Sequence, residues 1–302
     1  EQGLAGPNGG FFYDFSENTK EEKEAGFQIF YSRFDNWHKH GYYKGESLAE
    51  VERMIFADEP LEVGIGAEYC MGGVEINERM ETGVAGLYVA GEAGSGVFGA
   101  CRVGDGLVEM MCQGMRAGIG AADYAVHSGK PQLDETQLDT YLDKIYGIFD
   151  HADGMEALEL YHETIKACDE GFGLIRTEEK LENALRRIEE LKELWKNVTL
   201  SGKSKAYNLE WLGAVQTENL LTCCEAGIRA AILRKESRGC HMRKDYPQVD
   251  HNHYLVKYVH SQKDHQMHTD TRKPIVTTMP LPEGTRDSVI QYFQDPGLAY
   301  KR

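Results

Sequence analysis

The sequence predicts a mixed α/β segment followed by a helical bundle and a small β-containing C-terminal extension. Three observations carry this. Between residues 61 and 104 glycine becomes dense, charge thins out and short β-prone runs appear. From residue 131 onward, apolar side chains recur at three- and four-residue spacing on otherwise charged segments, the period of an amphipathic helix. After Pro247 two β-prone runs follow, and Pro280 and Pro282 end the pattern.

Composition sets the outer bounds. A chain of 302 residues with 41% hydrophobic and 27% charged side chains holds two or three domains and at least one sizeable core. It has no apolar run of the roughly 18 residues that a membrane-spanning helix needs. A net charge of -16 argues against a nucleic-acid or anionic-membrane surface, because both require basic patches. The seven cysteines, Cys70, Cys101, Cys112, Cys168, Cys223, Cys224 and Cys240, include no C-x-x-C pair. Neither a disulfide framework nor an iron–sulfur or zinc site is expected, and reduced thiols in a cytoplasmic compartment are the simplest expectation. The chain opens Glu1-Gln2-Gly3 without an initiator methionine, which reads as the middle of a longer polypeptide.

In order along the chain, Gly9 to Phe15 reads as a turn entering a short strand. Thr19 to His40 is helical, with Phe27, Phe30, Tyr31 and Phe34 on one side. Ser47 with Glu50 resembles a capping box that opens a second short helix. Gly86-Leu87-Tyr88-Val89-Ala90-Gly91 reads as a buried strand. From Gly106 to about His127 a helix places Leu107, Met110, Met111, Met115 and Ile119 together, where the methionines are expected to fill a core. Three amphipathic segments follow, marked by Leu138–Phe149, Met155–Cys168 and Leu181–Val198, and three in succession imply a bundle. A long helix is expected from Asn208 to about Arg238. Tyr254–His260 and Thr269–Met279 read as strands.

Four blocks bear on chemistry. Glu68-Tyr69-Cys70-Met71-Gly72-Gly73-Val74 contains paired glycines that let a backbone pass close to another object; a tight turn is the plainer reading. In Gly86 to Gly94, a β-run meets Gly91 and then Glu92. That arrangement suits a dinucleotide site, the acid accepting from ribose hydroxyls and the glycines admitting the cofactor; a buried strand with a polar turn is the alternative. In Val97 to Leu107, a glycine-broken loop delivers Arg102 and then opens a helix at Gly106, whose free N–H groups and positive dipole end favour negative charge. The arginine suits bidentate binding of an anionic substrate. The fourth block, Arg234-Lys235-Glu236-Ser237-Arg238-Gly239-Cys240-His241-Met242-Arg243, reads as a structural helix end, with Gly239 as cap.

In this order and spacing the blocks E-Y-C-M-G-G, G-L-Y-V-A-G-E, G-A-C-R-V-G and R-K-E-S-R-G-C-H resemble the flavoprotein subunits of the succinate dehydrogenase/fumarate reductase family. That family shows H-Y-x-M-G-G, G-L-(Y/F)-A-x-G-E, G-A-N-R-L-G and R-x-E-S-R-G-x-H. Gly6-Pro7-Asn8-Gly9-Gly10 before Tyr13 is similar to the late part of its capping domain. The resemblance implies FAD as cofactor, with Glu92 on the ribose and Gly91, Gly72 and Gly73 around the cofactor. It implies that Gly106 and Leu107 offer N–H groups to the flavin, and that Arg102 grips a substrate carboxylate beside flavin N5. It further implies hydride exchange between N5 and a substrate C–C bond, with electrons passing to an iron–sulfur partner subunit.

The departures are specific. Glu68 stands where the family has its substrate-binding histidine, Cys101 replaces an asparagine, and the G-S-N-S-L stretch is shortened to Gly104-Asp105-Gly106-Leu107. The ADP-binding fingerprint, the flavin-attachment histidine and the proton-donating arginine have no counterpart and are expected before residue 1, on an N-terminal half of the flavoprotein. The expected layout is therefore a capping-domain remnant over 1–60 and the C-terminal part of a Rossmann-like FAD-binding domain over 61–130. A helical domain over 131–250 and an extension over 251–302 complete it. The expected protein is an FAD-dependent oxidoreductase of anaerobic respiration acting on a small-molecule substrate, with Arg102 and Glu68 as catalytic residues. It is cytoplasmic and reaches a membrane only through its partners. The alternatives are an aspartate oxidase-like enzyme and a catalytically idle flavin electron-transfer or assembly subunit. The scattered His251, His253, His260, His265 and His268 do not form a metal-ligand pattern, and no metal is expected.

Overall fold

The structure, a computed structural model, describes residues 6–7, 10–39, 48–64, 69–94, 99–100, 106–264, 266–275 and 280–288. The chain divides into two units, residues 1–69 and residues 70–302.

In the first unit, β1 (Phe11–Tyr13) pairs antiparallel with β2 (Leu61–Val63), Phe11 opposite Val63. Between them run α1 (Lys20–Lys39) and α2 (Leu48–Phe56). Ser47 lies outside the described residues. The capping box that is seen lies elsewhere: Thr19 Oγ1 accepts from the Glu22 N–H at 3.3 Å, and the Glu22 carboxylate accepts from the Thr19 N–H at 2.8 Å. Phe27, Val51 and Ile55 form a small core, and Arg53 is held between Glu50 and Glu59.

In the second unit, residues 70–94 form turns and single bridges. α3 (Gly106–His127) and α4 (Glu135–Gly147) follow, the latter capped by Asp134, which accepts from the Gln137 N–H at 3.1 Å. Then come α5 (Ala157–Gly171), β3 (Ile175–Arg176), α6 (Glu178–Trp195) and α7 (Leu209–Leu233). Thr177 caps α6 and Asn208 caps α7, the residue types that satisfy orphan N–H groups. β4 (Met242–Arg243) lies parallel to β3. β5 (Gln248–Asp250), α8 (His251–Tyr254), β6 (Lys257–Lys263), β7 (Gln266–Arg272) and β8 (Thr285–Asp287) complete the chain, with β6 against β7 and β5 against β8, both antiparallel.

The bundle is α5, α6 and α7. Leu160, Leu181, Ile188, Leu191, Leu221 and Ile228 are fully buried in its core. Gly171 lets α5 approach α6, since a Cβ there would lie 2.5 Å from the Lys180 carbonyl oxygen. The expected bundle counted the Leu138–Phe149 segment as its first member. That segment instead docks by one end: Leu138 and Tyr141 are exposed, whereas Tyr146 and Phe149 pack on Trp211, with ring centroids 5.1 and 5.0 Å apart. The third place belongs to α7, which carries small residues such as Ala214 and Ala231 into the core.

Four further expectations are corrected. Residues 86–91 are not a strand; Glu81 and Tyr88 make a lone bridge and Val89 N–H donates to Met80, because no strand among the described residues lies beside them to complete a ladder. The α3 methionines do not fill a core: Leu107 is 71% exposed, Met111 72% and Ile119 66%. The side turned inward is polar, with Glu109 and Gln113 buried. α7 ends at Leu233, short of the expected Arg238. Residues two apart on a helix face different sides, and leaving the helix lets Arg234 and Arg238 meet the Glu236 carboxylate together. The last two strands are β6 and β7, shifted from the expected limits because Tyr254 closes α8 and Asp264, at φ 50, turns the hairpin. Residues 276–279 lie outside the described ones.

Candidate functional site

The first and second sequence blocks meet. Val74 N–H donates to the Ala93 carbonyl at 2.9 Å and Val74 bridges Gly94 in parallel. Gly73 is required by this approach, since a Cβ on it would lie 2.5 Å from the Gly94 carbonyl carbon. Gly72, by contrast, faces open space. Glu92 is exposed, and its Oε1 accepts from the Cys70 N–H at 2.7 Å. Among the described residues its second oxygen is left to accept from another donor.

The same segment is fastened to α3. Gly91, in the left-handed region at φ 71, donates its N–H to Gln113 Oε1 at 2.7 Å, and Gln113 Nε2 donates to Glu109 Oε1 at 3.0 Å. The bare Cα of Gly91 faces α3, and a Cβ there would come within 3.2 Å of Met110 Cβ. The 3-10 turn Gly91–Ala93 thus lies along the first turns of α3. Gly106, the first residue of that helix, is buried, while Leu107 is open.

These pieces fit a flavin dinucleotide. Glu92 presents an acceptor for vicinal hydroxyls, and a helix start such as that of the 22-residue α3 favours negative charge. Of the expected site residues, Gly72, Gly73, Gly91, Glu92, Gly106 and Leu107 are described. Glu68 and Arg102 lie outside the described residues.

The third and fourth blocks also meet. Arg238 and His241 exchange N–H···O bonds of 2.8 and 3.0 Å, which makes Gly239-Cys240 the tip of a tight turn. Gly239 has φ 56, and the Cys240 N–H donates to the Ala100 carbonyl at 3.0 Å. Gly239 therefore serves this turn and does not cap α7, correcting the expected helix end.

Beneath the turn lies a charged cluster. Glu236 is 1% exposed and takes Arg234 and Arg238 at 2.7 Å each, with the Asp250 N–H at 2.8 Å. The fully buried Arg243 pairs with Asp245 at 2.7 Å and donates to the Ala231 carbonyl. A buried guanidinium needs such partners. His241 sits between Arg176 and the Arg234 carbonyl, and burial pushes its pKa down to about 4. The hairpin β6–β7 reaches the residue that follows the first block, Glu75, which takes both Lys257 and Arg272.

Sequence reasoning missed Gln113, Glu109, Ala100 and Glu75. Each acts through a tertiary contact 20 or more residues away, or on such a residue, and nothing in local pattern marks it. Among the described residues no helix is long and apolar enough to cross a membrane, and no group of three His, Cys, Asp or Glu is placed to hold a metal.

Comparison with known proteins bears on the family. Residues 162–288 match the fumarate reductase flavoprotein C-terminal family and residues 40–106 match an FAD binding domain. The fumarate reductase flavoprotein subunit of Haemophilus influenzae is 33% identical over 214 residues, 70% of this chain and 36% of the relative. Its counterpart from Proteus vulgaris is 33% identical over 193 residues, 62% of this chain and 32% of the relative. The chain thus spans about a third of the length of these relatives. Among solved structures, the Sdh1 complex of Mycobacterium smegmatis in its apo form superposes with a TM-score of 0.76 at 30% identity, covering 91% of this chain and 45% of that one. FrdA of Escherichia coli quinol fumarate reductase gives 0.70 at 28% identity, over 74% and 40%. The chain belongs to the succinate dehydrogenase/fumarate reductase flavoprotein family of FAD-dependent oxidoreductases, of which it carries part of the FAD-binding domain and the C-terminal region.

Proposed function

We propose that this chain forms the C-terminal part of an FAD-dependent oxidoreductase subunit that acts on a small organic acid other than succinate or fumarate. The observation that carries the cofactor reading is the fastening of Gly91 to the opening turns of α3 through Gln113, with the neighbouring Glu92 carboxylate held by the Cys70 N–H. Glu92 would hold the ribose, and the N–H groups at Gly106 and Leu107 would face the flavin ring. When bound, FAD supplies hydride exchange between N5 and a substrate C–C bond; the protein's work is to orient and polarise.

Arg102 would grip the substrate carboxylate, two N–H groups to two oxygens. The exposed stripe Leu107, Met111, Met115 and Ile119 would be covered by the rest of the FAD-binding domain, the N-terminal half of the flavoprotein. An iron–sulfur subunit would take the electrons one at a time, and any membrane contact would come through partners of the complex on its cytoplasmic face.

Glu68 decides the substrate. An ionised glutamate only accepts, so it does not replace a histidine that donates to a carboxylate. At about 4 Å and an effective dielectric of about 20, its repulsion of a substrate carboxylate is about 4 kcal/mol, equivalent to about a thousandfold in binding. A monocarboxylate, a thioester or an acid bearing a cationic group avoids that cost. The test is a substrate panel on the complete flavoprotein, native beside Glu68→His. Fumarate reduction gained only in Glu68→His is expected; robust fumarate reduction by the native protein refutes the assignment. The second reading, a catalytically idle flavin subunit, is favoured by Glu68 together with Cys101, and turnover of any panel member ends it.

A further inference from the structure

Two cysteines of the bundle sit at the same level of adjacent helices. α5 and α7 both run antiparallel to α6. Gly171, at the end of α5, faces Lys180 and Ala184 near the start of α6, while Glu163 meets Arg187 further along. On the other side, Lys192 meets Glu225 and Glu189 meets Arg229, so the chain rises along α7 as it falls along α6. α5 and α7 are therefore parallel, and they pack directly on each other. Their register is set by Phe172, which closes α5 and lies against Gly227, where a Cβ would come 2.9 Å from its ring. One helical turn back from these two residues stand Cys168 on α5 and Cys223-Cys224 on α7.

The buried stripes decide which α7 cysteine faces inward. Leu221 and Ile228 are fully buried, and Cys224 stands three residues after the first and four before the second, on the same side of the helix. Cys223 is one residue off that stripe and is exposed. On α5, Cys168 follows the buried Thr164 by one turn. Cys168 and Cys224 are both half-buried, both pack on the bundle core, and their thiols share a hydrogen bond. Neither is in a disulfide.

The shared bond makes the two sulfurs unlike. The Cys224 S–H donates, which holds the Cys168 thiol below its ordinary value against burial. The same bond, together with burial, pushes the Cys224 thiol up. Cys168 is thus the sulfur that ionises first, and the thiolate is the nucleophilic form.

We propose that Cys168 and Cys224 form a dithiol site that hydroperoxides oxidise to a reversible disulfide, tying α5 to α7. The Cys168 thiolate attacks one peroxide oxygen. The O–O bond breaks, the other oxygen leaves and takes up a proton, and Cys168 becomes a sulfenic acid. The Cys224 sulfur then attacks the Cys168 sulfur. The S–S bond forms, the S–O bond breaks, and the hydroxide leaves with the Cys224 proton as water. Two thiols and one hydrogen peroxide give one disulfide and two waters, the electron pair passing from the sulfurs to the peroxide oxygens. A dithiol reductant reverses the step by exchange. Because the second thiol is already in contact, Cys168 is resolved before it reaches the irreversible sulfinic stage. The site lies wholly within the bundle and does not depend on the cofactor reading.

The test uses the complete flavoprotein, treated with hydrogen peroxide, alkylated without reduction, digested with trypsin and read by mass spectrometry. Trypsin releases Cys168 in segment 167–176 and Cys223 with Cys224 in segment 206–229. Oxidation is expected to join these segments with loss of two hydrogens, and dithiothreitol to part them. Cys223→Ser is expected to keep the bridge. Cys224→Ser is expected to lose it and to leave Cys168 as a sulfenic acid that dimedone captures. Should the substitutions disturb the bundle, the wild-type map decides alone. Cys168 found alkylated or over-oxidised but never joined to segment 206–229 would overturn the proposal, as would a bridge that survives Cys224→Ser.

Discussion

Replacing His241 by glutamine should make the protein less sensitive to acid. A guanidinium only donates and a carbonyl only accepts. His241 Nδ1, 3.0 Å from Arg176 Nη1, must therefore be the acceptor, and Nε2, 3.0 Å from the Arg234 carbonyl, must carry the proton. The imidazole is neutral with one fixed tautomer. Burial pushes its pKa down to about 4; the bond to the Arg234 carbonyl opposes this, and Arg176, Arg234 and Arg243 reinforce it. In the unfolded chain the ring titrates near its ordinary value of about 6.5. Between the two values the unfolded chain binds a proton that the folded one refuses, so stability is lost as pH falls through this window and is fully present above it. Two and a half pH units at about 1.4 kcal/mol each give about 3 kcal/mol. The assay is urea unfolding followed by tryptophan fluorescence, at about pH 7.5 and about pH 4.5, for wild type and His241→Gln. Glutamine can still accept from Arg176 and donate to the carbonyl but does not titrate. Asp245 and Glu178, held low mainly by Arg243 and Lys235 respectively against burial, are common to both proteins and drop out of the difference. Wild type should lose about 2–3 kcal/mol more than the variant. Equal losses would show that His241 is already protonated in the folded state, and the tautomer assignment would fall.

Ile188, fully buried between α5, α6 and α7, should cost about 2–5 kcal/mol on truncation to alanine, read from the urea midpoint at constant slope. Met111→Glu on the open side of α3 should leave the stability of the chain within about 0.5 kcal/mol and lower its binding of an apolar dye, yet block association with the N-terminal half in a pull-down. Arg102→Lys keeps the charge but loses the planar fork, so in the complete flavoprotein it should be nearly as poor as Arg102→Ala in steady-state turnover. The isolated chain should lose FAD on gel filtration, since it offers Glu92 and the α3 start but no βαβ unit for the ADP half; stoichiometric retention would contradict this.

What was legible in the sequence follows the range of the forces involved. The helices of the bundle were visible because their cores repeat locally: Leu181, Ile188, Leu191 and Trp195 carry the period of α6 on their own. Asn208, read as the start of the long helix, caps it by the same local chemistry, whereas the caps Asp134 and Thr177 were not singled out. The glycine blocks announced themselves as a family resemblance, and the structure gives Gly73 and Gly91 concrete duties in close backbone approach. What escaped was whatever depends on a distant partner. The run at 86–91 has strand-forming residues, but a strand is a property of a pair. The end of α7 was misplaced because helix propensity continues through Arg234 and Lys235, while the decision to stop belongs to Glu236 and to Asp250, 14 residues on.

The two sides of α3 show why those misses cluster where the chemistry is expected. An amphipathic helix normally turns its apolar stripe inward. Here Glu109 and Gln113 face inward because Gln113 supplies the acceptor that the Gly91 N–H needs in its left-handed turn. One helix cannot both serve the glycine turn with a polar face and bury its methionines against that same turn, so the stripe is left for another surface. Few apolar contacts and a few side-chain bonds hold this segment, in contrast to the closed core of α5–α7. Its local opening should therefore cost much less than unfolding of the bundle. Among the described residues, the glycine-rich segment and the α5–α7 side of the chain meet at the Gly239-Cys240 tip, which binds the Ala100 carbonyl, and at the β6–β7 hairpin, through Glu75.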